Sequence, residues 1–308
     1  MKILLLGASG LVGSAVARLG AVRGHQFAGT VGSWTGTGVP GLAQQVQLDL
    51  MSPTALPPLL TPGAADVIVN AAAVSEPAAC ETDPARSQRL NVDLPAQLAT
   101  LGRATGTRLI HLSSEQVFDG VTPPFSISSP VHGINLYARQ KIESEQRVLA
   151  ADPTAVVLRL PLLLGNSLSR RRSVHERLLE TWAAGREAKL FVDEFRQACT
   201  ADSVARAILE IIAQPDLAGR FHWAGADLLS RHEIGVRVRQ RFGLSEHQAP
   251  IIPLERRNDP KALATRPANL ALDLAPLSTA LPTRPQTAAE AFAELETPPW
   301  WPQSVVPR

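Results

Sequence analysis

The sequence predicts an α/β fold, with a doubly wound parallel sheet followed by a smaller C-terminal α/β lobe. Three observations support this prediction. The chain opens on an apolar run, residues 2–6, that leads directly into a glycine-rich turn and a helix. Apolar runs and helical patterns then alternate with short connections as far as Pro161, as a parallel sheet with crossover helices requires. Beyond Pro161 the pattern changes to shorter elements joined by proline-rich connections.

Composition and charge limit the classes of protein that fit this chain. Its 308 residues are 45% hydrophobic and carry a formal net charge of +2, which gives no bulk attraction to nucleic acid or membrane. The arginines are dispersed, which also argues against nucleic-acid binding. No apolar run approaches the roughly 20 residues of a membrane-spanning helix. Cys80, Cys199 and the histidines show no metal-ligand or redox spacing, so we expect a cytoplasmic protein with reduced thiols and no metal site.

The glycine-rich turn follows the first strand, Lys2–Leu6, and opens a helix that extends to about Arg23. Glycines at every third position let the backbone approach a pyrophosphate and let the helix pack on the strand, while the helix N-terminus faces the anionic phosphates. This context predicts a Rossmann-type nucleotide site. The cofactor-binding residues expected here are Gly7, Ser9, Gly10, Leu11, Val12 and Gly13.

The next two strands are expected to meet the adenosine half of the cofactor. The second, Gln26–Val31, is followed by Ser33, where an acidic residue would favour NAD and a basic one NADP. Neither is present, and we favour NADP over NAD because no carboxylate repels a 2′-phosphate. The third strand is predicted at Val46–Leu50, with Asp49 and Leu50 at the cofactor; Asp49 accepts from the adenine amino group or, alternatively, caps a helix.

A fourth strand, predicted at Asp66–Ala73, ends in small residues that allow a flat cofactor to lie against the backbone. We therefore expect Asn70, Ala71, Ala72 and Ala73 to contact the cofactor and Val74, in the following loop, to contact the substrate. A long helix from about Pro84 to Ala104 carries Asn91, which could hold the neighbouring strand ends.

The central stretch of the chain carries the groups that favour carbonyl reduction. A fifth strand ends in Ser113 and Ser114, and a helix beyond Gly133 places Tyr137 and Lys141 one turn apart on one face. Ser114 could hold a carbonyl oxygen and Tyr137 could protonate it. Lys141 is expected to lower the pKa of the Tyr137 phenol and to bind the nicotinamide ribose. Ser113 and Pro161, at the ends of the fifth and sixth strands, are predicted to line the cofactor site.

The predicted domains are a nucleotide-binding domain, residues 1–165, and a lobe at 166–308 that mainly binds substrate. A helix near 201–213 is expected to return to the first domain, and the tail from about residue 297 to be irregular. Residues 170–172 are arginines in a loop, where they are either solvated or clamp a substrate diphosphate. Arg196 is expected to contact substrate.

Together the glycine turn, Ser114, Tyr137 and Lys141 resemble the extended short-chain dehydrogenase/reductase superfamily. The segments at 113–120, 135–137 and 266–273 look like the dTDP-4-dehydrorhamnose reductase group. This resemblance implies a nicotinamide cofactor, catalytic residues Ser114, Tyr137 and Lys141, and a nucleotide-linked sugar as substrate, contacted by Glu115 and Gln116. Two features depart from the group: Gln116 replaces an aromatic residue, and residues 160–165 lack a tryptophan.

Two further segments, at 158–161 and 219–225, are similar to the methionine adenosyltransferase beta regulatory subunits. Three functions therefore remain open. The first is an NAD(P)-dependent reductase of a keto sugar, and the second is an NADP-binding regulatory subunit with little or no turnover. The third is a nucleotide-sugar epimerase or dehydratase that keeps its cofactor bound. Ser114, Tyr137 and Lys141 together favour the reductase; a homodimer or a partner enzyme is possible under either of the first two.

Overall fold

The apolar runs form one parallel sheet at the centre of the protein. In the computed structural model, which describes residues 1–301, the strands of this sheet are β1 (Lys2–Leu6), β2 (Gln26–Val31), β3 (Gln44–Gln47), β4 (Val67–Asn70), β5 (Arg108–Ser114), β6 (Val156–Leu160) and β11 (Gly219–His222). They pair in the order β11-β6-β5-β4-β1-β2-β3, and every pair is parallel. The inner strands are buried on both faces, which explains their continuous apolar sequences. The predicted fold class is confirmed.

Helices cover both faces of the sheet. The helices are α1 (Leu11–Val22), α2 (Pro77–Thr82), α3 (Pro84–Gln88), α4 (Leu94–Thr105), α5 (Leu136–Ala151), α6 (Val174–Ala183), α7 (Ala201–Ile212), α8 (Arg231–Arg241), α9 (Pro260–Thr265), α10 (Leu277–Ala280) and α11 (Ala288–Ala293). Apolar residues of α1 and α7 pack on one face, and those of α4 and α5 on the other. The predicted loop after the fourth strand contains α2. None of the helices described is long and apolar enough to cross a membrane.

The long helix predicted from Pro84 contains a π-helical turn, Arg89–Asp93, between α3 and α4. Pro95 lies in the first turn of α4 and has no N–H to donate to the carbonyl of Asn91. The regular hydrogen-bond ladder is therefore interrupted here, and the π-turn carries Asn91, which is fully buried. Such turns are frequent at functional sites.

Two predicted strands differ from the observed ones for reasons of pairing. The third strand lies at Gln44–Gln47 and not at Val46–Leu50, because its neighbour β2 ends at Val31 and the last residue pair is Val31 with Gln47. The fourth strand ends at Asn70 and not at Ala73, because β1 ends where the chain turns at Gly7. Residues 48–50 and 71–73 consequently leave the sheet and become free to line a site.

The C-terminal lobe has a second hydrophobic core, formed largely by α6, α8 and α11. Its short strands are β7 (Leu163–Leu164), β8 (Ala188–Phe191), β9 (Phe195–Arg196), β10 (Cys199–Thr200), β12 (Leu229–Ser230) and β13 (Ile251–Leu254). Two elements beyond residue 165 pack with the first part of the chain: β11 pairs with β6 in the central sheet, and α7 packs against α1. The predicted domain division remains a prediction. Residues 297–301 form no regular element, and the rest of the predicted tail lies outside the described residues.

Candidate functional site

A cavity of about 1440 Å³ lies at the carboxyl ends of the parallel strands, between the sheet and the C-terminal lobe. Ligands bind at this edge in open α/β sheets. The predicted site residues that line it are Gly7, Ser9, Gly10, Leu11, Val12, Ser33, Asp49, Leu50, Ala71, Ala72, Ala73, Ser113, Ser114, Glu115, Gln116, Tyr137, Lys141, Pro161 and Arg196. Gly13, Asn70 and Val74 do not line it.

Gly13, Asn70 and Val74 support the residues that line the cavity. A Cβ at Gly13 would meet the carbonyl oxygen of Gly7 at 2.2 Å, so Gly13 allows α1 to pack on the glycine turn. The Asn70 side chain accepts from the amide of Ala72 at 3.2 Å and contacts the buried His111 ring. Val74 has its amide and its carbonyl bound to Asn91. We therefore assign them supporting roles and not direct contact with a ligand.

The glycine turn fits a pyrophosphate. Gly7 has φ +74°, and a Cβ there would meet the Ala71 and Ala72 backbone at 2.8–2.9 Å, so the turn and the end of β4 approach closely. The next element, α1, begins after Gly10 with no side-chain cap and no acidic residue in its first turn. Its first N–H groups therefore remain available to phosphate oxygens.

Asn135 fixes the start of α5 and with it the position of Tyr137. Its side chain accepts from the amide of Ala138 at 2.8 Å, as a helix N-cap does, and its Nδ2 donates to Gln116 Oε1 at 3.2 Å and to the Thr265 carbonyl at 3.0 Å. The helix α5 is thus tied to the segment after β5 and to the C-terminal segment. The sequence pattern of an Asn before a helix could have identified this residue.

Tyr137 and Lys141 are both buried and both line the cavity. Lys141 Nζ donates to the Leu112 carbonyl at 2.9 Å and lies 6.0 Å from the centre of the Tyr137 ring. Burial lowers the pKa of Lys141 to about 8. Burial also raises the pKa of Tyr137 to about 12, against the opposing effect of its hydrogen bond with Ser114. The predicted lowering of the Tyr137 pKa by Lys141 is therefore wrong for the protein alone, and the phenol is neutral at pH 7.

The wall of the cavity after β3 is held by Arg89, which no sequence pattern identifies. Its guanidinium donates to the carbonyls of Leu50 at 3.1 Å and of Met51 at 3.3 Å, and so fixes the segment after β3. Asp49 Oδ1 accepts from the Met51 amide at 3.0 Å, which is a local turn. The carbonyls of Leu50 and Met51 lie almost 40 residues from Arg89 in the chain, so no local sequence pattern predicts these contacts.

Asn91 holds the loop that follows β4, as the sequence predicts in outline. Its Oδ1 accepts from the Val74 amide at 2.9 Å, and its Nδ2 donates to the Val74 carbonyl at 3.1 Å and to Gln140 Oε1 at 3.0 Å. Gln140 lies on α5 between Tyr137 and Lys141. Asn91 therefore fixes the loop after β4 relative to α5.

Glu115 and Arg196 are in buried contact on the wall of the cavity. Arg196 Nε lies 3.2 Å from Glu115 Oε1, and its Nη2 lies 3.2 Å from Glu194 Oε1 and donates to the Pro267 carbonyl at 3.0 Å. Its donors are thus largely occupied by the protein, so Arg196 positions Glu115 and is a poor direct substrate ligand. Burial raises the pKa of Glu115 to about 8, although Arg196 opposes this shift. Glu115 Oε2 has no hydrogen-bond partner among the described residues.

The arginine loop separates into structural and cavity-facing residues. Arg170 pairs with Glu296 at 2.8 Å and Arg171 with Glu180, whereas Arg172 lines the cavity. Arg231 and Lys261 also line the cavity, and Arg231 Nε lies 3.9 Å from Glu194 Oε1. No group of three or more His, Cys, Asp or Glu residues is placed to hold a metal ion within residues 1–301.

Known proteins match this chain over nearly its whole length. The family described as RmlD substrate binding domain matches residues 1–297. The methionine adenosyltransferase 2 subunit beta of Xenopus laevis is 29% identical over 283 residues, which are 90% of this chain and 81% of that protein.

Two solved structures have the same fold. A dTDP-4-dehydrorhamnose reductase from Clostridium acetobutylicum has a TM-score of 0.81 at 21% identity, covering 96% of this chain and 98% of that chain. MoeE5, solved with UDP-glucose and NAD, has a TM-score of 0.81 at 18% identity, covering 96% and 97%.

Proposed function

The chain belongs to the RmlD substrate binding domain family, and from this premise we propose that it is an NAD(P)H-dependent reductase of a keto group on a nucleotide-linked sugar. The observation that carries this proposal is the meeting of Ser114, Tyr137 and Lys141 at one end of the cavity, with the glycine turn also on its wall. A protein that only binds a nucleotide has no need of this combination of a hydroxyl, a neutral phenol and a buried ammonium.

We assign to these residues a proton transfer to the carbonyl oxygen that accompanies hydride transfer to the carbonyl carbon. When bound, the reduced nicotinamide would supply the hydride to the carbonyl carbon. Ser114 holds the carbonyl oxygen, and Tyr137 donates its phenolic proton to that oxygen as charge develops there. A pKa of about 12 keeps Tyr137 protonated and ready to donate. Lys141 places a positive charge beside the phenolate that remains and binds the nicotinamide ribose.

We expect NADP to bind in preference to NAD because Ser33, and no carboxylate, follows β2 on the cavity wall. Titration calorimetry with both cofactors tests this preference. For the substrate, Arg172, Arg231 and Lys261 fit the diphosphate of a nucleotide-linked sugar. MoeE5, which shares the fold, is a precedent for such a ligand.

The decisive variant is Tyr137→Phe, which removes the proton donor and keeps the ring. We expect NADPH oxidation, followed across a panel of keto nucleotide-sugars, to fall by about 100-fold or more, with NADPH affinity changed little. Arg139→Lys, at an exposed position on the same helix, is the matched control and should keep full turnover. Full activity of Tyr137→Phe would remove Tyr137 as the donor.

A second candidate, a regulatory subunit, is favoured by one observation, the match to methionine adenosyltransferase 2 subunit beta. This reading predicts a stable complex with a methionine adenosyltransferase and no NADPH oxidation with any keto sugar. Size-exclusion chromatography of the mixed proteins, beside the turnover panel, separates the two candidates. A homodimer would appear in the same experiment when the chain is run alone.

A further inference from the structure

Glu145 lies one helical turn beyond Lys141 on α5 and is equally buried, with 1% of its surface exposed. Its carboxylate joins three elements of the sheet. Ser113 Oγ donates to Glu145 Oε1 at 2.5 Å, and Arg159 on β6 donates to both carboxylate oxygens, at 2.9 and 2.7 Å. Arg220 on β11 donates to Oε2 at 3.2 Å. The donor of the Ser113 hydroxyl is therefore committed to Glu145, and its oxygen can meet a ligand only as an acceptor.

Consecutive residues of β5 thus bind consecutive turns of α5. The Leu112 carbonyl accepts from Lys141, and the Ser113 hydroxyl donates to Glu145. Because Ser114 is the next residue of the strand, the position of the carbonyl-holding hydroxyl relative to Tyr137 depends on this pair of contacts.

The surroundings of Lys141 contain little negative charge. Several of its polar neighbours are neutral: the Leu112 carbonyl, the Cys80 thiol, the Tyr137 phenol and the His111 ring, whose pKa burial lowers well below its usual range. Burial disfavours the ammonium, and the carboxylate of Glu145 is the main opposing influence. The charged groups that face Glu145 itself are Lys141, Arg159 and Arg220.

We propose that Glu145 is a positioning residue that keeps the buried Lys141 charged and fixes the Ser113–Ser114 strand end against the catalytic helix. A buried carboxylate offsets the desolvation of a nearby ammonium. The role of Lys141 in turnover rests on the proposed function, but its charge is measurable without any substrate.

The test is a pH titration of the lysine side chains by NMR with ¹³C-labelled lysine. The chain has four lysines, of which Lys2, Lys189 and Lys261 are exposed and Lys141 is buried, with its pKa lowered by burial to about 8. In Glu145→Gln we expect the Lys141 midpoint to fall by about one pH unit. Asp152→Asn, which removes another buried carboxylate at the end of α5, should leave it unchanged.

Arg220→Gln is the second variant and acts in the opposite direction. Arg220 is partly exposed, so the variant should fold, and removal of its charge should raise the Lys141 midpoint. An unchanged midpoint in both Glu145→Gln and Arg220→Gln would overturn the proposal, as would an equal fall in Asp152→Asn.

NADPH oxidation across the panel of keto nucleotide-sugars separates the proposed role of Glu145 from the proposed reductase activity. If Glu145→Gln lowers the Lys141 midpoint and the wild-type protein reduces no keto sugar, the electrostatic role holds and the reductase proposal fails. If the protein is a reductase, the alkaline limb of its pH–kcat profile should move with the Lys141 midpoint in Glu145→Gln and Arg220→Gln. A profile that stays fixed while the midpoint moves would refute the link from Glu145 to turnover.

Discussion

The ionisation of Tyr137 is open to direct measurement because Tyr137 is the only tyrosine in the chain. The perturbation is a rise in pH, followed through the near-ultraviolet absorbance of tyrosinate. An ordinary tyrosine is half ionised at pH 10, whereas a pKa raised to about 12 leaves only about 1% of Tyr137 ionised at that pH. Tyr137→Phe supplies the blank, since the tryptophans do not ionise.

Unfolding has to be followed in parallel, because the raised pKa affects stability. The unfolded chain loses the tyrosine proton near pH 10 and the folded chain near 12, so folding loses on the order of 3 kcal/mol from this group as the pH rises between them. We expect tyrosinate to appear together with the loss of circular dichroism. A tyrosinate midpoint at or below pH 10 in protein that is still folded would refute the argument that burial raises the pKa of Tyr137 by more than Ser114 and Lys141 lower it.

Three further predictions concern stability. Burial raises the pKa of Glu115 from an ordinary 4.5 to about 8, so its contribution to stability is present below pH 4.5 and is lost as the pH rises to 8; the free energy of urea unfolding of the wild type, relative to that of Glu115→Gln, should therefore fall by on the order of a few kcal/mol between these two pH values. Gly13→Ala should cost about 1–3 kcal/mol in thermal unfolding because its Cβ meets the Gly7 carbonyl at 2.2 Å, whereas Gly38→Ala, with open space, should cost little. Asn91→Ala should lower the free energy of unfolding by about 1–3 kcal/mol, since it leaves the part-buried Val74 amide without its partner and the Val74 carbonyl with only the Cys80 thiol, at 3.5 Å; equal stability of this variant would contradict the contacts described.

The sequence predicts those parts of the site that depend on local patterns of residues. The glycine turn is a matter of spacing, and the pairing of Tyr137 with Lys141 follows from the period of a helix. The end of β5 at Ser113 and Ser114 follows from the limits of an apolar run. Each of these signals extends over fewer than ten residues and needs no knowledge of distant neighbours.

The features that the sequence does not show depend on burial and on distant partners. The raised pKa of Tyr137 follows from the depth of the cavity, which no local pattern records. Arg196 looks available for substrate until the structure places Glu115 and Glu194 against it. The two serines of β5 look equivalent in sequence and both line the cavity, yet only the Ser113 hydroxyl donates to the buried Glu145.

The position of β11 in the chain has a consequence for synthesis. The central sheet is incomplete until this strand pairs with β6, and about 60 residues separate the two. A ribosome that adds about 5–20 residues per second needs roughly 3 to 12 s to make that interval. During this time the β6 edge of the nascent sheet is an unprotected template for other strands. In a fragment that contains residues 1–165 alone, the edge of β6 would stay exposed permanently. A fragment that includes β11 should therefore aggregate less than one that ends before it.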